Sequence, residues 1–319
     1  MPIEILADLT QVKPSSPEWL KLRKQGIGGS DAAAVCGIGR RTPYQVWADK
    51  VNPNVPEELE EPEYMRWGKL LEEPVRQEFE QRTGIEVHRF PRMVRNSDYP
   101  FMLANVDGLI GDPAVKLTAV YEGKTTRLAN QWTMNDDGSV NVPLDYVVQG
   151  MHYLAVLELE RVFYACLIGG QELRIAEVEL NPNLVADLIE IEDGFWRKVI
   201  EQEPPEVTGA DVATLRARWQ PTPEKRVELP GTFATALKVR AQHKANIKSL
   251  EKLVDDIDAE IMAFMGDAEE ATVNGKVVVT WKETAGRLKG KELEAAYPEI
   301  AAQFKGAPSR RFTPKEITE

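Results

Sequence analysis

Asp107, within Asn105-Val106-Asp107-Gly108, is followed fifteen residues later by Glu122-Gly123-Lys124, and these two segments limit what the chain can fold into more than any other feature. Leu103 to Ile110 is apolar apart from Asn105, Asp107 and Gly108, and Val120-Tyr121 leads into Glu122 as a β-prone run. The segments therefore read as the two strands of a hairpin. Residues i and i+2 of a strand share a face, so Glu122 and Lys124 project together, and the neighbouring strand brings Asp107 beside them. Two carboxylates at one point form a hard oxygen site suited to Mg²⁺. A lysine beside that cation can hold or deprotonate an attacking water. Phosphodiester hydrolysis needs this set of groups. The competing reading is a triplet of solvated surface charges.

Two helical stretches flank the hairpin. In Trp67-Gly68-Lys69-Leu70-Leu71-Glu72, continuing to Phe79, the residues Leu71, Val75 and Phe79 fall on one helical face, with Glu72 beside it at the edge. Downstream, Tyr146 to Leu154 reads as a second helix with Tyr146, Gln149, Gly150 and Tyr153 within reach of one face. The order is helix Glu, strand Asp, strand Glu-x-Lys, helix Gln.

This order and its local wording resemble the PD-(D/E)xK nuclease superfamily and, within it, the YqaJ-like viral recombinases related to the phage lambda exonuclease. The resemblance rests on Trp67-Gly68-x-x-x-Glu72, Val106-Asp107-Gly108, Glu122-x-Lys124, Tyr146-x-x-Gln149 and the stretch from Trp19 to Asp31, and it spans roughly residues 15 to 200. It implies an α/β fold, a mixed sheet with helices on both faces. It implies that Asp107, Glu122 and the carbonyl of Gly123 bind a first Mg²⁺, with Mn²⁺ as a possible substitute. Glu72 joins a second Mg²⁺ or holds its water, the two ions lying about 4 Å apart. Lys124 orients and helps deprotonate the attacking water, Gln149 hydrogen-bonds that water or Lys124, and Tyr146 contacts a phosphate or packs Gln149. The implied activity is 5′→3′ digestion of double-stranded DNA ends for recombination, leaving 5′-phosphate products, with a single-strand annealing protein as partner. The relatives of the lambda type form three-subunit rings, so a homotrimer is expected here. An endonuclease on the same fold and a non-catalytic DNA-binding or scaffold protein are the alternatives.

Arg23 to Asp31 has two readings of its own. Ile27-Gly28-Gly29-Ser30 is a glycine turn into an alanine-rich helix for which Ser30 is an N-cap. The same helix start can also bind phosphate, with Arg23 adding a bidentate contact. The resemblance assigns Arg23 and Ser30 to the 5′-phosphate of the DNA end. Asp31 reads as an acid favoured by the helix dipole.

The net charge of −12 excludes a general nucleic-acid coat, so DNA binding must be local. Lys21, Arg23, Lys24, Arg40, Arg41, Arg66, Lys69, Arg76, Lys124 and Arg127 are the candidate cations, about half of them expected to face away from DNA. Two isolated cysteines, Cys36 and Cys166, exclude a disulfide framework, a zinc cluster and a four-cysteine iron–sulfur site. His88, His152 and His243 read as surface or helix-edge polar residues, and Trp19, Trp47, Trp67, Trp196 and Trp219 as core. Tyr44 and Trp47 read as packing residues of a helix that starts after Pro43. With no bilayer-length apolar run and no signal pattern, a cytoplasmic, membrane-free enzyme is expected.

Residues 1–205 hold the motifs, 206–231 read as a linker, and 232–319 as a helix, hairpin and helix. In that last part Ile247, Leu250, Val254, Ile257, Ile261 and Phe264 form a heptad stripe. The stripe is expected to pack on its own chain, against Val277 to Trp281 and the helix with Leu293 and Tyr297, or else on another subunit or the annealing protein.

Overall fold

The computed structural model describes residues 3–54, 62–219, 221–306 and 310–315. Two compact units are present, the first ending at Trp219. The first unit opens with β1 (Ile3–Asp8), α1 (Pro17–Arg23), β2 (Ile27–Gly28), α2 (Gly29–Val35), α3 (Pro43–Val51) and α4 (Glu63–Thr83). It continues with β3 (Val87–His88), β4 (Arg92–Asn96), β5 (Met102–Ala104), β6 (Gly108–Asp112), β7 (Lys116–Thr126) and α5 (Leu144–Leu157). It closes with β8 (Arg161–Ile168), β9 (Glu172–Glu179), α6 (Pro182–Glu201) and α7 (Val212–Arg218).

The main sheet runs β3-β6-β7-β8-β9. β6 and β7 are the antiparallel hairpin read from the sequence, β7 and β8 are parallel, and β8 and β9 antiparallel. A parallel pair needs a long crossover, which α5 supplies. Helices cover both faces, because β7 alternates. Ala119 and Tyr121 pack with Val75 and Phe79 of α4. Val120 packs with Val148, Met151 and Leu154 of α5. A strand buried on both sides loses polar alternation, hence the continuous apolar run before Glu122. α5 approaches β8 closely at Gly150, where a Cβ would lie 2.3 Å from the Tyr164 hydroxyl. That hydroxyl donates to the Tyr146 carbonyl at 2.6 Å, fixing the start of α5 over the sheet. This is an α/β core, a mixed sheet with helices on both faces. A second sheet, β1-β4-β5-β2, is built of short strands.

Several expectations are corrected. His152 is fully buried, its Nδ1 2.8 Å from Glu192 and its Nε2 2.9 Å from the Leu103 carbonyl. It sits on the core side of α5, where burial is tolerated because both ring nitrogens are satisfied. Trp67 and Trp219 are exposed rather than core. Tyr44 and Trp47 are buried as expected. The stretch after residue 205 is no free linker up to Trp219: Asp211 is fully buried and bonds the Thr42 hydroxyl, and Gln45 donates to the Ala210 carbonyl at 3.0 Å. The Arg218 guanidinium then lies 4.4 Å over Trp47.

The second unit comprises α8 (Thr232–Met265), the antiparallel pair β10 (Glu270–Val273) and β11 (Lys276–Thr280), α9 (Gly290–Ala296) and α10 (Pro298–Gln303). The hairpin turns at Asn274-Gly275, a pair suited to a two-residue turn, with both residues at positive φ. The single final helix expected to carry Leu293 and Tyr297 is two, because Pro298 cannot continue one helix but starts the next. Among the described residues of the second unit, neither the hairpin nor the helices that carry Leu293 and Tyr297 cover the heptad stripe. Leu250, Val254, Ile257 and Phe264 are exposed, and so are Val277, Val278 and Trp281.

Candidate active site

Asp107 lies just before β6, whose last pair with β7 is Gly108 opposite Tyr121. Beyond that pair β7 runs on, with Glu122 to Thr126 paired only to β8. Asp107 fills the position β6 leaves, its Oδ2 accepting the Gly123 amide at 2.9 Å. The N–H and C=O of one strand residue point to the same neighbour, so the Gly123 carbonyl also faces the Asp107 side. Glu122 and Lys124 take the opposite face of β7, toward α5. The Lys124 ammonium donates to Glu122 Oε2 at 2.6 Å and lies 5.1 Å from the Tyr146 ring centroid.

The charge balance here is unfavourable. Glu122 is 2% exposed, and burial together with the Asp107 charge pushes its pKa up to about 7 despite Lys124. Burial likewise raises Asp107. Burial works against the Lys124 charge, but Glu122 and Asp107 outweigh it and hold the ammonium protonated well above the usual lysine range. One ammonium thus serves two carboxylates. Glu72 stands at the exposed rim on α4, and desolvation followed by the Asp107 charge raises it to about 7. Glu122 Oε1 is buried with no hydrogen-bond partner. An orphaned carboxylate oxygen in an over-acidic cluster is the environment that a divalent cation relieves. Asp107, Glu122 and the Gly123 carbonyl are all hard oxygen donors and fit Mg²⁺ or Mn²⁺. Among the described residues no three His, Cys, Asp or Glu side chains form a metal-holding group, so Glu72 is not drawn in with the other two.

The remaining predicted residues differ in placement. Tyr146 lies under Lys124 as a packing ring against Trp132, at 5.6 Å between centroids. The Gln149 side chain does not bond Lys124. It donates to the Tyr153 hydroxyl at 3.0 Å. Tyr153 also feels Glu122, Lys124 and Asp107 electrostatically, and its ring packs on Gly29, where a Cβ would lie 2.4 Å away. Through Tyr153 the cluster adjoins a second feature, a pocket of about 50 Å³ lined by Trp19, Arg23, Gly28, Ser30, Asn105 and Tyr153.

Arg23 is clamped in that pocket. It donates to Ser30 Oγ at 3.0 Å and to Asp31 Oδ2 at 2.7 Å, and stacks 5.0 Å from the Trp19 ring. Ser30 is not the N-cap. That position is Gly28, and Ser30 lies inside α2 with its hydroxyl exposed to the pocket. Asp31 is not a dipole-stabilising surface acid either. It is buried and also takes the Lys50 ammonium at 2.9 Å and Arg41 at 3.3 Å. Burial opposes its ionisation, but Arg23, Lys50 and Arg41 hold its carboxyl far below the usual range. Lys50 is 19 residues away in sequence, and no local pattern announces it.

A model of the YqaJ-like viral recombinase domain matches residues 18–160. The uncharacterized protein YqaJ of Bacillus subtilis (strain 168) is 32% identical over 324 residues, spanning 99% of this chain and 98% of that protein. The chain belongs to the YqaJ family. Among solved structures, LHK-Exo in complex with dAMP is similar at 15% identity, with a TM-score of 0.46 over 59% of this chain and 94% of that one. An alkaline exonuclease, LHK-Exo from Laribacter hongkongensis, gives 16% identity and a TM-score of 0.45, over 63% and 98%. The YqaJ domain match contains Arg23, Ser30, Glu72, Asp107, Glu122, Lys124, Tyr146 and Gln149. It ends before β8, so the strand that pairs with Glu122 to Thr126 lies outside it.

Of the ten candidate cations, several are already engaged. Arg76 binds Glu73 and Glu80, Arg41 binds Asp31 and Asp49, and Lys24 donates to the carbonyls of Asn52 and Asn54. No helix among the described residues is long and apolar enough to cross a membrane.

Proposed function

We propose that this YqaJ-family chain is a Mg²⁺-dependent 5′→3′ exonuclease that acts on double-stranded DNA ends in phage-type homologous recombination. The observation that carries this reading is the cluster of Asp107, Glu122 and Lys124, with its orphaned carboxylate oxygen, next to the clamped Arg23 and open Ser30. Asp107, Glu122 and the Gly123 carbonyl would hold Mg²⁺, which supplies Lewis acidity to a phosphoryl oxygen and acidifies water. Water oxygen attacks phosphorus, the P–O3′ bond breaks, and the product carries a 5′-phosphate. Lys124, kept protonated by its two carboxylates, orients the water and donates to charge that builds on the phosphate. Glu72, titrating near neutrality at the rim, is suited to take the water's proton. Gln149 and Tyr146 position Tyr153 and Lys124 rather than touch the phosphate.

Arg23 and Ser30 supply a guanidinium and a hydroxyl to a terminal 5′-phosphate, and Asp31, Lys50 and Trp19 fix the guanidinium plane. The phosphate must compete with Asp31 for Arg23, and Lys50 eases that competition by sharing the carboxylate. An acidic chain of net charge −12 gains from confining its contacts to such a lined groove. A trimeric ring, a cytoplasmic site of action and hand-over of single strands to an annealing protein complete the proposal.

Digestion of 5′-labelled linear duplex beside closed circular DNA tests it. Labelled mononucleotide from the linear substrate alone is expected. Nicking of the circle would indicate an endonuclease, and binding without cleavage a scaffold.

A further inference from the structure

β2 and β5 are parallel, with Ile27 opposite Met102 and Gly28 opposite Leu103. The Ile27 amide donates to the Phe101 carbonyl at 2.7 Å. Alternate residues of a strand turn their carbonyls to the same side, so the Leu103 carbonyl also faces β2. β2 ends at Gly28, and Gly29 opens α2. The Leu103 carbonyl therefore faces the point where the partner strand stops, and His152 of α5 meets it there, with Nε2 2.9 Å away. A carbonyl only accepts, so Nε2 carries a hydrogen. Glu192 of α6 lies 2.8 Å from Nδ1. Whether the proton they share sits on Nδ1 or on the carboxyl, Nε2 keeps its own.

The plain reading of such a pair is a cross-link between α5 and α6. As a cross-link it is a poor one. Both side chains are fully buried, and Glu192 Oε2 has no hydrogen-bond partner among the described residues. Apolar side chains of the same volume would join two helices as well or better. They could not supply an N–H to β5, and Leu103 stands at a junction. Its ladder partner Gly28 is two residues before Ser30, and the chain reaches Asp107 four residues after Leu103. Leu103 and Tyr153, the neighbour of His152, both line the pocket that holds Arg23 and Ser30. Burial opposes a charge on His152, but Glu192, the Leu103 carbonyl and Asp31 outweigh it and raise its pKa. Asp31 is the acid that clamps Arg23, so the pair stands directly behind the phosphate pocket.

We propose that His152, backed by Glu192, is a positioning residue that ties the turn carrying Ser30 to the segment carrying Asp107, and so fixes the 5′-phosphate anchor relative to the cleaving carboxylates. Without its N–H the Leu103 carbonyl is left buried and unpaired, and the two segments shift independently. The consequence for cleavage rests on the nuclease reading; the tie itself does not.

Three variants of the full chain test it. His152→Leu removes the donor at similar volume. His152→Gln keeps an amide N–H within reach of the Leu103 carbonyl. Val156→Ala, one turn later on α5 and fully buried, weakens core packing without touching that bond. In His152→Leu, amide hydrogen exchange over residues 26–31 and 104–108 is expected to quicken by at least about 10-fold, the size of one lost buried hydrogen bond. The ratio of kcat/KM for 5′-phosphorylated over 5′-hydroxyl duplex ends is expected to fall by a similar factor. His152→Gln should recover most of both, and Val156→Ala should leave both at the wild-type value despite a lower Tm. Wild-type exchange in the two segments of His152→Leu, or an equal quickening in Val156→Ala, overturns the tie. Quicker exchange with an unchanged ratio overturns its part in holding the phosphate anchor. Should His152→Leu fail to fold, nitrogen-labelled histidine spectra of the wild type decide: a protonated, exchange-protected Nε2 on His152 is expected, and an unprotonated one overturns the proposal. A wild type that cuts no duplex would sink the nuclease reading alone, because hydrogen exchange still reads the tie.

Discussion

Glu122→Gln is expected to make the metal-free protein more stable above neutral pH while abolishing cleavage. The folded pKa of Glu122 is raised from 4.5 to about 7, so the fold prefers the protonated, neutral form. The sign follows directly. Ionisation costs nothing below the unfolded value, the cost grows between 4.5 and about 7, and it is complete above that. A rise of this size corresponds to a ceiling of about 3 kcal/mol, and relaxation around the buried cluster returns part of it, leaving about 2 kcal/mol. For a unit of this size that is a gain of about 4–8 °C in Tm at pH 8, and much less at pH 5. Thermal unfolding in EDTA at both pH values reads the effect. Adding Mg²⁺ should then raise the Tm of the wild type and not that of Glu122→Gln, reversing their order. A variant no more stable than wild type at pH 8 in EDTA, or an equal response of both to Mg²⁺, refutes the reasoning that Asp107 and Glu122 are held together for a cation.

Asp107→Asn and Lys124→Ala should each lower turnover on linear duplex by at least about 100-fold, the size expected when a charge-stabilising group is lost, and Lys124→Ala should retain DNA-end binding better than Arg23→Ala in a gel-shift titration. Arg23→Ala should abolish any preference for a 5′-phosphorylated over a 5′-hydroxyl end. Asp31→Asn, which frees Arg23 while loosening it, should weaken that preference mainly through KM, whereas an unchanged ratio would leave Asp31 a purely structural acid. With Mg²⁺ limiting, the rate should climb through about pH 7, because Glu122 must lose its proton to hold a cation and Glu72 must lose its own to take the water's proton, and the Glu122 limb of the pH–rate profile should move to lower pH as Mg²⁺ is raised. A chain ending at Trp219 should keep cleavage of short duplexes, because α7 and Asp211 stay with the first unit. If it folds by circular dichroism yet cuts nothing, the second unit helps to build the site.

The parts of this account that were legible in the sequence are those with short-range signatures. A two-residue period placed Glu122 and Lys124 on one face, the 3.6-residue period of Leu71, Val75 and Phe79 gave α4 and its buried side, and Asn274-Gly275 gave the second-unit hairpin. What escaped is long-range. Asp31 looks like a helix-start acid until Lys50 and Arg41 are folded onto it. Asp211 looks like loop until it reaches Thr42, 169 residues earlier. His152 is a polar residue on an apolar helix, and only Glu192, 40 residues on, makes its burial tolerable. Ser30 shows a different limit. Its neighbours allow an N-cap, and the cap was decided by two consecutive glycines that let the helix start earlier, at Gly29. Gln149 was placed on the right face, but Tyr153, one turn later on the same helix, captured its amide before Lys124 could.

The central claim is that Asp107, Glu122 and Lys124 form a cation-dependent phosphodiester-cleaving centre that works from a 5′ end. Its most direct test is time-resolved product analysis of a linear duplex with one 5′-phosphorylated and one 5′-hydroxyl end, with wild type in Mg²⁺, wild type in EDTA, and Asp107→Asn in Mg²⁺. The account predicts 5′-mononucleotides released first from the phosphorylated end by wild type in Mg²⁺, and nothing from the other two. Release that persists in EDTA or in Asp107→Asn, or that begins at 3′ ends, would contradict it.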